Sequence, residues 1–194
     1  MRPYSGYKAE RKSAREILPA GGYVARIMDA KENVFEWGRK LEISFDICEG
    51  EYRDFFAADY RSNTNEDRKW RGVYRLTVPK DDGTEKDGWT KNTFNGAMWA
   101  IEESNPGFRW AWDETALKGK FMGVIFRNKE WEMNGNTGWT TECGMLDSAD
   151  NIRCGKFKPL KDKPLKAKPE ANTWTPAGAP INIGFSEPDA DLPF

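Results

Sequence analysis

Arg39-Lys40-Leu41-Glu42-Ile43-Ser44-Phe45-Asp46-Ile47-Cys48 alternates with a period of two, with Leu41, Ile43, Phe45 and Ile47 on one side and Glu42, Ser44 and Asp46 on the other. Successive side chains of an extended strand point to opposite faces, so this is the pattern of an antiparallel strand with one face buried. Working outward, Gly21-Gly22 precedes a second candidate strand, Tyr23 to Asp29. Glu49-Gly50-Glu51 reads as a turn into a third, Tyr52 to Tyr60, which would form a hairpin with the strand quoted first. Further on, Gly119 to Arg127 and Thr137 to Leu146 form another hairpin, joined by a loop containing Asn134-Gly135-Asn136.

One helix interrupts the strands. Phe94, Ala97, Met98 and Ile101 recur at i, i+3, i+4 and i+7, Thr90 or Asn92 can cap the start, and Asn105-Pro106-Gly107 ends it. Three strands, a helix and two strands is the chain order of an OB-fold, whose ligand face lies on strands 2 and 3 and on the loops joining strands 1–2 and 4–5. The expected fold is therefore all-β with one helix: a five-stranded Greek-key OB-fold barrel over residues 17–160, with residues 61–91 inserted before the helix. An SH3-like barrel or a small α+β sandwich would give a similar pattern. Phe45, Phe94, Phe121 and Phe126 are assigned to the core on periodicity.

The 194 residues contain no histidine, three cysteines and nine tryptophans, and carry a formal net charge of −1. Without histidine there is no Ser-His, Cys-His or His-metal chemistry, and catalysis would fall to carboxylates. Cys48, Cys143 and Cys154 form no Cys-x-x-Cys pair and read as structural or free thiols in a reducing cytosol. Neither a cofactor nor a metal is implied. The polar, basic start shows no signal-peptide run. The longest apolar stretch, Phe121 to Phe126, is far short of the ~20 residues that span a bilayer, so a cytoplasmic protein with no membrane partner is expected.

The net charge hides a strong asymmetry. Residues 1–16 form a basic arm of net +3, residues 17–155 sum to −5, residues 156–168 to +5 and residues 169–194 to −4. From Pro159 onward, prolines interrupt any helix or central strand and little apolar surface is available to bury. A disordered tail follows, with a linker over 161–186 and a distinct tip over 187–194.

Binding a single nucleic-acid strand asks for aromatic faces on which bases stack and for cations that follow the phosphates. Trp37, Arg39 and Lys40, beside Phe35, fall in the expected loop between strands 1 and 2. Arg53, Phe55, Tyr60, Arg61, Trp70, Arg71, Tyr74 and Arg75 fall in strand 3 and the insertion, where residues 61–80 carry a local +4. Lys129, Trp131 and Trp139, with Arg127, fall in the expected loop between strands 4 and 5. Each aromatic could equally serve the core.

The chain ends Glu187-Pro188-Asp189-Ala190-Asp191-Leu192-Pro193-Phe194. An acidic stretch closing on a leucine, a stiffening proline and a terminal phenylalanine suits a partner that offers an apolar pocket ringed by basic residues. These residues resemble the C-terminal tip of bacterial single-stranded DNA-binding proteins, although Ala190 breaks the acidic run and Pro188 departs from the usual pattern. The resemblance implies an OB-fold that binds the strand, a disordered linker, and a tip that recruits host or phage replication and repair proteins through Asp189, Asp191, Leu192, Pro193 and Phe194.

The body resembles a different group. Leu18-Pro19-Ala20-Gly21-Gly22-Tyr23, Ser104-Asn105-Pro106-Gly107-Phe108, Trp110-Ala111-Trp112-Asp113, Leu117-Lys118-Gly119-Lys120 and Ile152-Arg153-Cys154-Gly155-Lys156-Phe157 are similar to bacteriophage and prophage proteins of gram-positive hosts, some described as single-stranded DNA-binding. The expectation is a non-catalytic single-stranded DNA-binding protein of phage replication or recombination, acting in the bacterial host cytoplasm. Two other readings compete with it. One is an adaptor of replication proteins that binds no DNA. The other is a carboxylate-metal nuclease built on Asp81-Asp82 and Asp113-Glu114.

Overall fold

A computed structural model describes residues 16–165. The strands β1 (Gly21–Phe35), β2 (Gly38–Ile47), β3 (Val73–Thr77), β4 (Phe121–Met133) and β5 (Asn136–Asp147) form one antiparallel five-stranded sheet in the order β3-β2-β1-β4-β5. Helices α1 (Phe55–Ser62), α2 (Glu85–Glu103) and α3 (Ala149–Arg153), with a 3-10 turn at Glu114–Leu117, complete the described chain. Most of the basic arm, and the tip with Asp189, Asp191, Leu192, Pro193 and Phe194, lie outside the described residues.

Leu41, Ile43, Phe45 and Ile47 are all buried, as their alternation demands, and share one core with Ile27, Phe94, Ile101, Met122 and Phe126. β1 runs well past the expected Tyr23–Asp29 because it serves two neighbours. Gly21–Arg26 pairs with β4, whereas pairing with β2 runs from Ala25 to Phe35. The register with β2 shifts between Ile27 and Asp29, leaving Met28 as a bulge. A bulge bends its strand and increases the twist, which lets one strand leave one partner for another.

Both connecting loops expected beside the ligand face are tight turns. Phe35 pairs with Gly38, so only Glu36 and Trp37 lie at the β1–β2 tip. Met133 pairs with Asn136 across Asn134 (φ 51) and Gly135 (φ 77), the two positive values a type I′ hairpin turn requires. Arg127, Lys129, Trp131 and Trp139 consequently stand on strands and not in a loop.

Tyr52–Tyr60 is not a strand, and the cause lies on β2. Asp46 belongs to the polar face by sequence yet is only 5% exposed. Its carboxylate accepts the backbone N–H groups of Ile47, Phe56 and Ala57, each at 2.9 Å. The first turn of a helix has N–H groups without intrahelical partners and favours negative charge, so Asp46 caps α1 from a neighbouring strand. The local cap position, Asp54, makes no capping hydrogen bond with its side chain and sits at φ 60. Phe55 and Phe56 then turn onto the core, with Phe56 edge-on to Phe45 at 5.6 Å. The third strand is Val73–Thr77, inside the segment expected to be an insertion.

α2 begins at Glu85, ahead of the expected Thr90 or Asn92. Thr84 Oγ1 accepts from Asp87 N at 3.2 Å, while buried Asp87 accepts from Lys80 N at 2.9 Å and pairs with Lys91 Nζ at 3.1 Å. At its far end Asn105 donates to Ile101 O and Phe121 O and accepts from Phe121 N, fastening the helix terminus to β4. Phe121, expected in the core, is 40% exposed because it opens β4 at the end of the sheet. Trp112 stacks on Phe94 at 5.5 Å, so this tryptophan covers the helix.

After α3 the chain returns along the sheet. A Cβ at Gly22 would come within 2.8 Å of Phe157, and one at Gly144 within 2.7 Å of Leu160, so these two glycines make room for the returning segment. Lys163 N then donates to Asn128 O at 2.8 Å, and Glu130 N donates to Lys163 O at 3.0 Å. Residues 161–165, expected to open the linker, thus join the part of β4 that β1 does not reach.

Replacing Asp46 by alanine leaves buried N–H groups at the start of α1 without acceptors, each costing about 1–3 kcal/mol. Urea unfolding should show Asp46→Ala destabilised by about 2–4 kcal/mol, with Asp46→Asn, which keeps one acceptor oxygen, losing less.

Candidate nucleic-acid interface

β3 and β5 are the two edge strands, and they line a common cleft of about 490 Å³ with α1 and the Trp70-Arg71 segment. Its floor is aromatic: Phe45, Phe56 and Phe126 touch one another and belong to the core. Phe55, Trp70 and Tyr74 form the walls. Arg71, Arg75 and Lys129 stand at the rim, opposed by Glu16 and Glu142.

The walls are fixed in place. Trp70 Nε1 donates to Phe45 O at 3.0 Å and to Gly72 O at 3.2 Å. A Cβ on Gly72 would lie 2.2 Å from Phe45 O, so only glycine lets this segment come close enough for Trp70 to reach β2. Burial pushes the Tyr74 hydroxyl up to about 12 and the Cys143 thiol also up to about 12, so both stay protonated.

The rim cations are held by carboxylates. Arg71 Nη1 lies 3.7 Å from Asp59, and Arg75 Nε donates to Glu42 at 2.8 Å. Glu142 gathers Arg127 (2.8 Å), Lys129 (2.9 Å) and Lys163 (3.1 Å). Burial by itself would raise the pKa of Glu142, but hydrogen bonds from Lys129, Lys163 and Arg127 override it and bring the value down to about 2. Three cations on one carboxylate leave this corner of the cleft positive.

The remaining residues singled out in the sequence fall into separate groups. At the β1–β2 tip, Trp37 stacks on Phe35 at 4.9 Å, and Lys40 Nζ lies 5.0 Å from its ring. Arg39 pairs with Glu32 at 3.2 Å. On α1, Tyr60 carries the Arg68 guanidinium over its ring at 4.6 Å and lies 5.9 Å from Trp70. Arg61 on the same helix is exposed and donates to Ala57 O at 3.1 Å. Arg53 is exposed beside Asp54 in the turn before α1.

Trp131 pairs with Gly138, and Trp139 with Glu130. Adjacent pairs in a ladder point to opposite faces, so the two indoles stand on opposite sides of the ribbon. Trp131 lies across Gly138, where a Cβ would come within 2.8 Å of its ring. The β1–β4 register runs the β4–β5 ribbon past the N-terminal end of β1, while the β1–β2 tip lies at the C-terminal end. Phe55, Tyr60, Trp70, Arg71, Tyr74, Arg75 and Lys129 are therefore brought together at or beside the cleft. Trp37, Arg39 and Lys40 form a second cluster, and Trp131 and Trp139 a third.

Lys86 and Trp89, exposed on the first turns of α2 and lining a depression with Tyr74 and Arg75, were not singled out from the sequence, because the helix was started too late to place them. The signal was Thr84-x-x-Asp87, a capping-box spacing that starts the helix at Glu85. Three of the four carboxylates of the nuclease reading have local partners: Asp82 and Asp113 accept from Thr84 and Thr115, and Asp81 pairs with Lys91. Among the described residues no group of three or more acidic or cysteine side chains could hold a metal ion. No helix among them is long and apolar enough to cross a membrane.

Because the folded-state pKa of Glu142 lies below its ordinary 4.5, its ion pairs contribute stability above that value, and this is lost as pH falls through about 2. Thermal unfolding should show wild type more stable than Glu142→Gln near neutrality, with the difference shrinking across that acid window. Parallel curves at all pH values would contradict it.

Compared with known protein families the chain matches no family model, and a search of curated proteins finds no match.

Proposed function

We propose that this chain is a non-catalytic single-stranded DNA-binding protein of phage replication or recombination, with an OB-fold whose open seam is the cleft between β3 and β5. The observation that carries the reading is that cleft: aromatic walls and floor, bordered by Arg71, Arg75 and Lys129, between the two edge strands of a five-stranded sheet. Stacking on Trp70 and Tyr74, with arginine and lysine on the phosphates, is the chemistry a sequence-tolerant strand binder uses. The sheet order supports the fold assignment, because an OB barrel is a five-stranded, partly open antiparallel closure. In this reading the Trp37–Lys40 cluster adds a second stacking point, the bacterial cytoplasm is the compartment, and the tip from Asp189 to Phe194 recruits replication and repair proteins.

Tryptophan fluorescence should be quenched on titration with oligothymidine, with weaker binding to a duplex of the same length. Affinity should fall with salt as phosphate counterions are retained. Arg71→Ala and Arg75→Ala should each flatten the log affinity against log salt slope by about 1. Trp37→Ala should cost about 1–3 kcal/mol. Equal affinity for duplex would overturn the single-strand reading, and an unchanged spectrum would overturn the proposal in favour of an adaptor, the reading to which the acidic balance of residues 17–155 points. Removing Leu192 to Phe194 should leave oligonucleotide affinity intact and abolish capture of a helicase or nuclease.

A further inference from the structure

The cleft does not end at β3. A second depression of about 260 Å³ lies between β3 and the first turns of α2 and shares Tyr74 and Arg75 with the cleft. A third, of about 310 Å³, lies at the β1–β2 tip and shares Thr77, Lys86 and Thr90 with the second. Through these shared residues the three depressions adjoin in sequence from Arg71, across β3 and the start of α2, to Trp37.

The middle section differs from its flanks in charge. Its lining includes Arg75 and Lys86 and no acidic residue, whereas Glu16 and Glu142 line the cleft, and Asp82 and Asp87 line the section at the tip. Lys86 has no ion pair among the described residues, so its ammonium is not already balanced by a carboxylate there. Beside these cations stands Trp89, 73% exposed and the most exposed large apolar side chain described. It makes no ring contact with another described aromatic. The helix around it is firmly anchored, with Asp87 buried two residues before it and Phe94 buried five residues after it. An exposed indole on an anchored helix, in the same depression as two cationic side chains, can serve as a stacking platform.

We infer that Trp89 is a further base-stacking site, with Lys86 and Arg75 engaging the flanking phosphates, so that a single strand leaving the cleft continues over β3 onto α2 and toward Trp37. The inference rests on the single-strand reading of the cleft and extends it to a surface that the strand-and-loop description of the ligand face leaves out. Charge complementarity identifies the occupant: an anionic polymer with flat apolar groups fits cations interleaved with an indole. Trp99, 51% exposed on the same helix, borders none of these depressions and serves as an internal comparison.

The test uses the full chain and oligothymidines of graded length, followed by fluorescence and anisotropy. Trp89→Ala should bind long oligonucleotides about tenfold more weakly and should stop gaining affinity at a shorter length than wild type. Trp89→Phe, which keeps a ring, should retain most of the affinity while losing its share of the quenching. Lys86→Ala should flatten the salt dependence by about 1 in slope. Trp99→Ala should behave as wild type. If wild type binds but Trp89→Ala matches it at every length, or if Trp99→Ala loses as much, the Trp89 platform is overturned and the cleft reading stands. If wild type binds no oligonucleotide, both fall.

Discussion

A single strand that must pair with two partners shapes this molecule. β1 gives its first residues to β4 and most of its length to β2, and the extra residue Met28 provides the bend between the two. Because β1 stays with β4 for only a short stretch, the β4–β5 ribbon overhangs, and its open edge needs covering. Exposed strand edges are sites of unwanted pairing. Here Lys163 supplies the missing backbone partner, and Lys163 and Lys129 meet on Glu142. β3 and β5 remain as the edges, and both face the cleft.

The cleft's chemistry follows from that arrangement. Its floor is the core itself, seen through the gap between two edges, so apolar surface is available without a dedicated pocket. Gly72 brings Trp70 against the backbone of β2, and the two hydrogen bonds of its indole fix the ring before any ligand arrives. Asp46 decides where α1 begins, and therefore that Phe55 and Tyr60 stand on a helix beside the cleft instead of on a strand.

What the sequence disclosed divides along physical lines. The period-two run of β2, the apolar stripe of α2 and the break at Asn105-Pro106-Gly107 were legible because each is a local pattern with one dominant solution. The Tyr52–Tyr60 segment was misread because its fate is set by a carboxylate on another strand, and no local pattern reports a cap delivered from ten residues away. The β4–β5 hairpin was found but its tip, like the β1–β2 connection, was drawn too loose, since the length of a ribbon depends on how far its partner strand accompanies it. The start of α2 is a different case: Thr84 and Asp87 stood at capping spacing, and stronger apolar periodicity downstream drew attention away from them. Of the candidate site, Phe55, Trp70, Arg71, Tyr74 and Arg75 converge on one cleft together with Lys129, with Tyr60 beside it, while Arg53 and Arg61 stand apart. Trp131 and Trp139 share a stretch of sequence but not a face, a separation that only the pairing register reveals.

The small net charge also takes on a structural meaning. Three rim cations rest against carboxylates: Arg71 on Asp59, Arg75 on Glu42, and Lys129 on Glu142. Such pairs at the surface contribute little stability, so their effect is chiefly to hold long side chains in one geometry. A guanidinium that gives one edge to a carboxylate keeps its other N–H groups for a phosphate. The acidic residues that make the domain look unsuited to a polyanion therefore also position the groups that would meet one. At Arg71 and Arg75 the cost is attraction at a distance, because an ion pair presents a dipole to an approaching strand and not a net charge, whereas the three cations that share Glu142 keep a positive excess. Lys86, without an ion pair among the described residues, is then a group that would draw the strand in, and the paired arginines are those that would hold it.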